Sequence, residues 1–341
     1  MSRRKSSILL PFNSTASKAD NQTGNVSRVR NRKTPAKRRR TQVEVLEPGL
    51  DENNLEFYDD LKQKMWSIYR VADLDKFNYQ NPGTFPRYGR ILSRYLVHSF
   101  TQPVTLQAKF LEKPDLKGFE SENTPVHIKV EDIQLNNPRL VYEGILFSAH
   151  DSGDSKIEGA THLPVLLGAT HLPVLLARGP ITVRNKVHEC LTAVFSSAIH
   201  EVSFPPEEMQ WMIAAWSGFL NESQKNKEVN FLYGLPAKAD TIQCQYSVNF
   251  IKDLWRCIHD QDSLIVELNE VKKFHDVLVR HTYKILGLNL AAVPLIMYRT
   301  PDFELHATGK VKVKTVEFVP RILHFIADLC ETQNRTDKSD S

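Results

Sequence analysis

The sequence has no apolar run approaching the ~20 residues that a helix needs to cross a bilayer, so its folded part reads as soluble. A basic stretch before Ile8-Leu9-Leu10-Pro11-Phe12 imitates a secretory signal, but five residues interrupted by Pro11 are too few for its apolar region. Without such a leader, the sequons at Asn13, Asn21, Asn25, Asn221 and Asn334 carry no weight. Cysteine is scarce: Cys190, Cys244, Cys257 and Cys330 are too dispersed for a disulfide framework, and reduced, buried thiols in a nuclear or cytosolic protein are expected. There is no Gly-x-Ser-x-Gly elbow, no Gly-x-x-x-x-Gly-Lys loop, no Gly-x-Gly-x-x-Gly, no His-Glu-x-x-His and no Cys-x-x-Cys. Those absences remove the commonest hydrolase, nucleotide-binding, dehydrogenase and zinc-protease sites, and no catalytic residue, cofactor or metal is assigned. His188, Glu189 and Cys190 are adjacent, but neighbours on a helix point about 100° apart and do not converge. His275 and His281 miss the i, i+4 spacing of one helical face. Trp211, Trp216 and Trp255 have the helical spacing of core residues.

Acidic residues are almost missing from residues 1–43, which hold twelve Lys/Arg against Asp20 alone, so this segment carries +11 and the remainder −7 behind an overall +4. The chain is thus a cationic tail on a mildly acidic body, and any contact of the body with a polyanion must come from a local patch. The tail, 1–45, has too little apolar surface to offset the entropy of ordering it and is expected to be disordered. Its densest charge, Arg28, Arg30, Arg32 and Lys33 followed by Lys37, Arg38, Arg39 and Arg40, has the two-cluster spacing of a nuclear import signal; a solubilising or RNA-binding arm is the alternative. Thr34, ahead of Pro35, is a candidate for a proline-directed kinase, and a phosphate there would oppose the surrounding cations.

From about residue 46 the composition is globular. Leu55, Tyr58, Leu61, Met65 and Tyr69 predict a helix up to about Arg70, and Tyr88 to Phe100 a second. Val104 to Phe110, Val126 to Val130 and Leu140 to Phe147 read as strands of an antiparallel sheet with one solvated face. Helices are expected over Val183 to Ile199, Glu207 to Leu220, Ser247 to His259, Asn269 to Leu286 and Val319 to Thr332. Leu290 to Arg299, Phe303 to Ala307 and Lys310 to Thr315 read as further strands. The fold class is therefore α+β: a mixed, largely antiparallel sheet with flanking helices, in subdomains 46–180 and 181–332, with a disordered tail at 333–341.

Two local features stand out. Gly159 to Leu167 is repeated identically as Gly168 to Leu176. A nine-residue shift reverses strand facing, so one copy is expected to loop out and its deletion to be tolerated. The other feature is the alternation of Lys310, Lys312 and Lys314 with Val311, Val313 and Thr315, which turns three lysines to one side of a strand about 6.6 Å apart. With Arg299 nearby they form a comb that can follow a phosphate backbone; an edge or solvated face protected by lysine is the alternative.

Trp66-Ser67-Ile68-Tyr69 through Leu74, Phe77 and Tyr79 closely resembles the W-x-[LI]-Y-x-x-x-x-L-x-x-F-x-Y block of the centromere protein L family. Leu172-Pro173 through Ala177-Arg178-Gly179, Trp211-Met212 through Trp216, Phe231 through Pro236, Leu254-Trp255 and Gly309 through Val313 resemble further family blocks in the same order, over about residues 55 to 330. The resemblance implies a non-enzymatic α+β subunit of the inner kinetochore, located in the nucleus at the centromere. It implies a heterodimer with centromere protein N formed largely through the C-terminal region, association with centromere protein C, and DNA enclosed in a basic channel. On that basis Phe303, Leu305, Phe318, Phe325 and Ile326 are the expected partner surface, and Arg299, Lys310, Lys312 and Lys314 the expected DNA contacts. The family has one Leu-Pro strand before Ala-x-Gly, so the second repeat copy is expected to occupy it. A stand-alone nuclear DNA-binding factor is the competing reading, with a nuclear enzyme seeded on His188, Glu189, Cys190 and His200 behind it.

Overall fold

The apolar spacing that predicts a helix from Leu55 to Arg70 is broken at Gln63, whose φ of 61° separates helix α1 (Leu55–Leu61) from strand β1 (Met65–Val71). The expected helix is therefore wrong in its second half. Strand β1 is buried on both sides, so Trp66, Ile68, Tyr69 and Val71 show no clean alternation and pass for a helical stripe. Long-range pairing outweighs the local pattern. The Trp66 indole donates to the Leu61 carbonyl at 3.1 Å, satisfying an acceptor left over at the end of α1.

The computed structural model describes residues 55–78, 81, 83–101, 105–114, 123–134, 137–148, 169–220, 227–235, 240–260 and 266–339. The basic tail 1–45, with the import cluster and Thr34, and the first repeat copy lie outside them. The remaining elements are β2 (Leu74–Asp75), α2 (Thr84–Ser99), β3 (Leu106–Glu112), β4 (Val126–Asp132), β5 (Arg139–Phe147), β6 (Ala169–Thr170), β7 (Val174–Arg178), α3 (Ile181–Phe195) and β8 (Ile199–Glu201). They continue with α4 (Pro206–Ser217), β9 (Glu228–Gly234), β10 (Thr241–Ser247), α5 (Val248–Arg256), α6 (Leu268–Leu286), β11 (Leu295–Arg299), β12 (Phe303–His306), β13 (Lys310–Val313) and α7 (Val319–Ser339).

Among the described residues, eleven strands form one sheet in the order β10-β9-β11-β12-β13-β1-β7-β5-β4-β3, with β8 also pairing β1, and β2 and β6 form a separate ribbon. Every pairing is antiparallel, and the α+β class is as expected. Strands β9 and β10 were not expected. Three boundaries also differ: α3 stops at Phe195, where Ser196 turns left-handed, and Ile199 begins β8; Leu290–Ala292 is a 3-10 turn before β11; α7 runs to Ser339. Residues 333 to 339 contain neither proline nor glycine, so no local stop signal ends α7 at Thr332.

Two cores lie on opposite sides of the sheet. One joins α1 and α4 to α7 with Trp66, Ile68, Trp216, Phe231, Tyr298, Phe303 and Ile326. The other joins α2 and α3 with Tyr69, Val71, Ile128, Leu175 and Phe195. At the β3 edge, α2 lies close enough for Ser93 Oγ to accept from the Ala108 N–H at 2.8 Å. A Cβ at Gly89 would stand 2.7 Å from the Ala108 carbonyl oxygen, so glycine permits that approach. The helix covers the edge.

The second repeat copy supplies β6 and β7, as expected. Arg178 and Gly179, directly after that copy, fix this choice. Gly179 has φ 130°, and a Cβ there would lie 2.4 Å from the Val141 carbonyl oxygen. Were the first copy in place, Thr170 would stand at the position of Gly179 and Ala169 at that of Arg178. The second exchange removes the guanidinium that donates from Nε to the buried carboxylate of Glu143, a cross-strand neighbour that also meets His127 Nε2 at 2.9 Å and Lys64 Nζ at 3.6 Å. Burial pushes the Glu143 carboxyl up, but hydrogen bonds from His127 and Arg178 outweigh it and hold the pKa at about 2.

Deleting 159–167 is expected to leave the thermal unfolding midpoint unchanged, whereas Gly179→Thr is expected to cost about 3 kcal/mol or more in urea titrations. A folded-state pKa below the ordinary carboxylate value gives stability that is present above pH ~4.5 and lost as pH falls toward 2. The stability difference between the native chain and Glu143→Gln, followed by denaturant titration, should therefore shrink across that window.

Candidate nucleic-acid interface

Strand β13 is flanked by β12 and β1, so it is an inner strand: of the alternative reading of its lysines, an edge or a solvated face, only the solvated face stands. Val311 and Val313 enter the core shared with α4 to α7, and alternation sends Lys310 and Lys312 to the other side. Register extends this side. Lys310 lies opposite His306 and Ser67, Lys312 opposite Glu304 and Met65, Glu304 opposite Arg299, and Arg299 opposite Asn230. Leu232, Gln243 and Gln245 continue it across β9 and β10. The second core ends at β1, and none of β9 to β13 contributes to it. Among the described residues, the mostly polar sheet face from the Met65–Ser67 end of β1 to β10, six strands or about 24 Å at the usual strand spacing, has no such core over it.

The cations on it are not equivalent. Lys310 is exposed and Lys312 half-buried. Arg299 donates from Nε to Glu304 Oε2 at 2.7 Å, and His306 Nε2 meets the other carboxylate oxygen at 2.9 Å. Burial raises the Glu304 pKa, but the Arg299 hydrogen bond and charge, followed by His306, lower it further and hold it below the ordinary range. Lys314, just beyond β13, donates to the Thr300 carbonyl at 2.6 Å. Burial lowers its pKa, and Arg299 and Lys312 add to the effect against the opposing pull of Glu304. The comb is therefore two available lysines, one internally anchored lysine, and an arginine shared with a carboxylate that the sequence did not single out. Arg299 and Glu304 are cross-strand neighbours only once β11 and β12 are paired.

The expected partner residues divide. Phe303, Leu305 and Ile326 are fully buried within this chain: the Phe303 ring meets Trp216 of α4 edge-on, Leu305 lies in the same core, and Ile326 is on α7, which packs on β1 and β7, so they offer no surface in this fold. Phe318 and Phe325 are partly buried against the same core. The enzyme seed does not assemble. His188 is buried edge-on against Tyr69 at 4.4 Å and desolvation lowers its pKa to about 4, whereas Glu189 is exposed and bonded to Lys186 and Tyr95. Burial raises the Cys190 thiol to about 11. Trp216 and Trp255 are core residues, with Trp211 packed beside them. No group of His, Cys, Asp and Glu that could hold a metal occurs among the described residues, and none of their helices is long and apolar enough to cross a membrane.

The family model described as Centromere protein L matches residues 60–334. Centromere protein L of Xenopus tropicalis is 24% identical over 319 aligned residues, covering 86% of this chain and 85% of that protein. The Mus musculus protein of the same name is 22% identical, covering 82% and 85%, and that of Homo sapiens 21%, covering 87% and 86%. The tryptophans behind the sequence resemblance, Trp66, Trp216 and Trp255, all anchor one core in this fold. The match extends from α1 into α7 and takes in the whole sheet. The chain belongs to the centromere protein L family.

Proposed function

We propose that the chain is a non-catalytic subunit of the inner kinetochore. It pairs with centromere protein N, joins an assembly that includes centromere protein C, and works at centromeric chromatin in the nucleus during chromosome segregation. In this reading no bond is made or broken by the chain; its surfaces position other molecules. The observation that carries it is the polar face of β11 to β13, where Arg299, Lys310, Lys312 and, just beyond β13, Lys314 outnumber the carboxylates of Glu304 and Asp302 beside them, in a member of a centromere family. A flat face of fixed cations suits a phosphate backbone and reads no sequence. The C-terminal partner contact uses the outer side of α7 and the turn before it, where Phe318 and Phe325 retain some exposure. The basic tail serves nuclear import through Arg28 to Arg40, and Thr34 is the position at which a phosphate would weaken that role.

Co-expressed with centromere protein N, the chain is expected to elute as a heterodimer and, when tagged in cells, to mark centromeres. Elution of both proteins as separate species, with diffuse nuclear signal, would contradict the reading. For DNA binding by the assembled complex, replacing Lys310 and Lys312 with Glu should flatten the plot of log affinity against log salt by about 1.8, since each phosphate contact contributes about 0.9. Glu304→Gln should act in the opposite direction, because it frees Arg299 and leaves the face more positive.

A further inference from the structure

Helix α3 begins where the covered half of this sheet side gives way to the polar face. Its first turn has no acidic residue, and Arg184 stands one turn in, on the side that meets the sheet. Nη1 of Arg184 donates to the Ser67 hydroxyl of β1, and the guanidinium carbon lies 6.0 Å from the centre of the Tyr69 ring. Ser67 is the register partner of Lys310, which in turn lies opposite His306. The row His306, Lys310, Ser67 thus ends under a guanidinium, one strand spacing of about 4.8 Å beyond Lys310.

This arginine has no counter-charge within the chain. Among the described residues it forms no ion pair, and its Nε–H is buried without an acceptor. Glu201, opposite Tyr69 in the register, takes up the Tyr69 hydroxyl at 3.3 Å instead. Other cations nearby are engaged: Arg178 is bonded to Glu143, and Lys186, two residues further along α3, is paired with Glu189 at 2.7 Å. The charge of Arg184 acts inward on His188, where it is second to desolvation in lowering the pKa to about 4. A half-buried guanidinium with an orphaned donor and no anion calls for an acceptor from outside the chain.

We propose that Arg184 is a further phosphate contact of the polar face and carries the track of a DNA backbone from Lys312 and Lys310 across β1 onto α3. This rests on the reading of that face as a DNA surface and adds a contact that the lysine comb does not contain. The bond to Ser67 and the stacking on Tyr69 fix the guanidinium before any ligand arrives, so little side-chain entropy remains to be lost on binding. Ser67, a neutral residue, lies between Lys310 and Arg184, and Glu304 in the neighbouring row is held by Arg299 and His306. Helix α3 rises above the sheet, so Arg184 reaches a duplex from the side while Lys310 and Lys312 support it from below.

The test is the salt dependence of duplex binding by the complex with centromere protein N. Arg184→Gln should flatten the plot of log affinity against log salt by about 0.9, in addition to the change produced by replacing Lys310 and Lys312 with Glu. Ser67→Asp, which gives Arg184 a carboxylate inside the chain, should flatten it to a like extent. Arg184→Lys keeps the charge and should keep the native slope, and Lys186→Gln, on the same helix, should change neither slope nor affinity. Thermal melts of all forms check the fold; a merely structural role for Arg184 would move the midpoint and leave the slope alone. A native slope for both Arg184→Gln and Ser67→Asp, where the Lys310 and Lys312 variant is flattened, would overturn the assignment and leave the reading of the face standing. A native slope in every variant would remove that reading as well. Loss of the heterodimer on gel filtration in Arg184→Gln, with the slope intact, would assign the acceptor to a protein segment and equally overturn the proposal.

Discussion

The double-sided burial of β1 is the constraint on which the rest of the structure depends. Its Trp66 and Ile68 enter the core under α4 to α7, its Tyr69 and Val71 the core under α2 and α3, and its backbone bonds to β7, β8 and β13. Because β1 comes from the start of the fold and β13 from its end, the sheet closes only when the ends of the chain meet. This long-range pairing sets β13 inside the sheet, which in turn holds Lys310 and Lys312 at fixed spacing on a rigid support. A loop could carry the same charges but would pay ordering entropy for each contact.

The two cores are offset along the sheet, and this offset produces the polar face on which the proposed role rests. Helices α2 and α3 cover the strands from β1 to β3, and among the described residues the side toward β10 has no core partner. On that side long polar side chains shield one another: the Arg299 guanidinium reaches the Met297 sulfur at 4.0 Å and the Glu304 carboxylate. Among the described residues, the face is thus held by its own side chains and by no covering helix. A docking surface needs fixed side chains with something left to offer, and Lys310 and Lys312 meet that description where Lys314 does not.

The helices α2 and α4 to α6 and strand β3 were legible because each repeats or alternates over one buried face, whereas β4 and β5 stood out only by their β-rich runs: β5 is buried on both sides and has no solvated face. The use of the second repeat copy was also legible, from Ala177-Arg178-Gly179 behind it. Strand β1 was not legible, because burial on both sides erases the period on which the reading relies. Strands β9 and β10 had a usable signal, Val229, Phe231 and Tyr233 at spacing two, but it lies between long polar segments that mask it. The Lys comb was visible in sequence, but its place inside the sheet, its Glu304 counter-charge and the anchoring of Lys314 to Thr300 depend on pairings made across the chain. The apolar residues expected at a partner surface were misplaced for a related reason: Phe303 looks available only until Trp216 of α4 packs on it, and Leu305 and Ile326 are closed into the same core by pairings made across the chain.

In the proposed role the chain acts through a cationic sheet face in an assembled complex on DNA. Lysine acetylation footprinting of the complex with centromere protein N, with and without duplex DNA, tests it most directly. Lys310 and Lys312 are expected to become protected while Lys272 and Lys273, exposed on α6 across the sheet, keep their reactivity. Protection confined to the tail, or to α6, would contradict it.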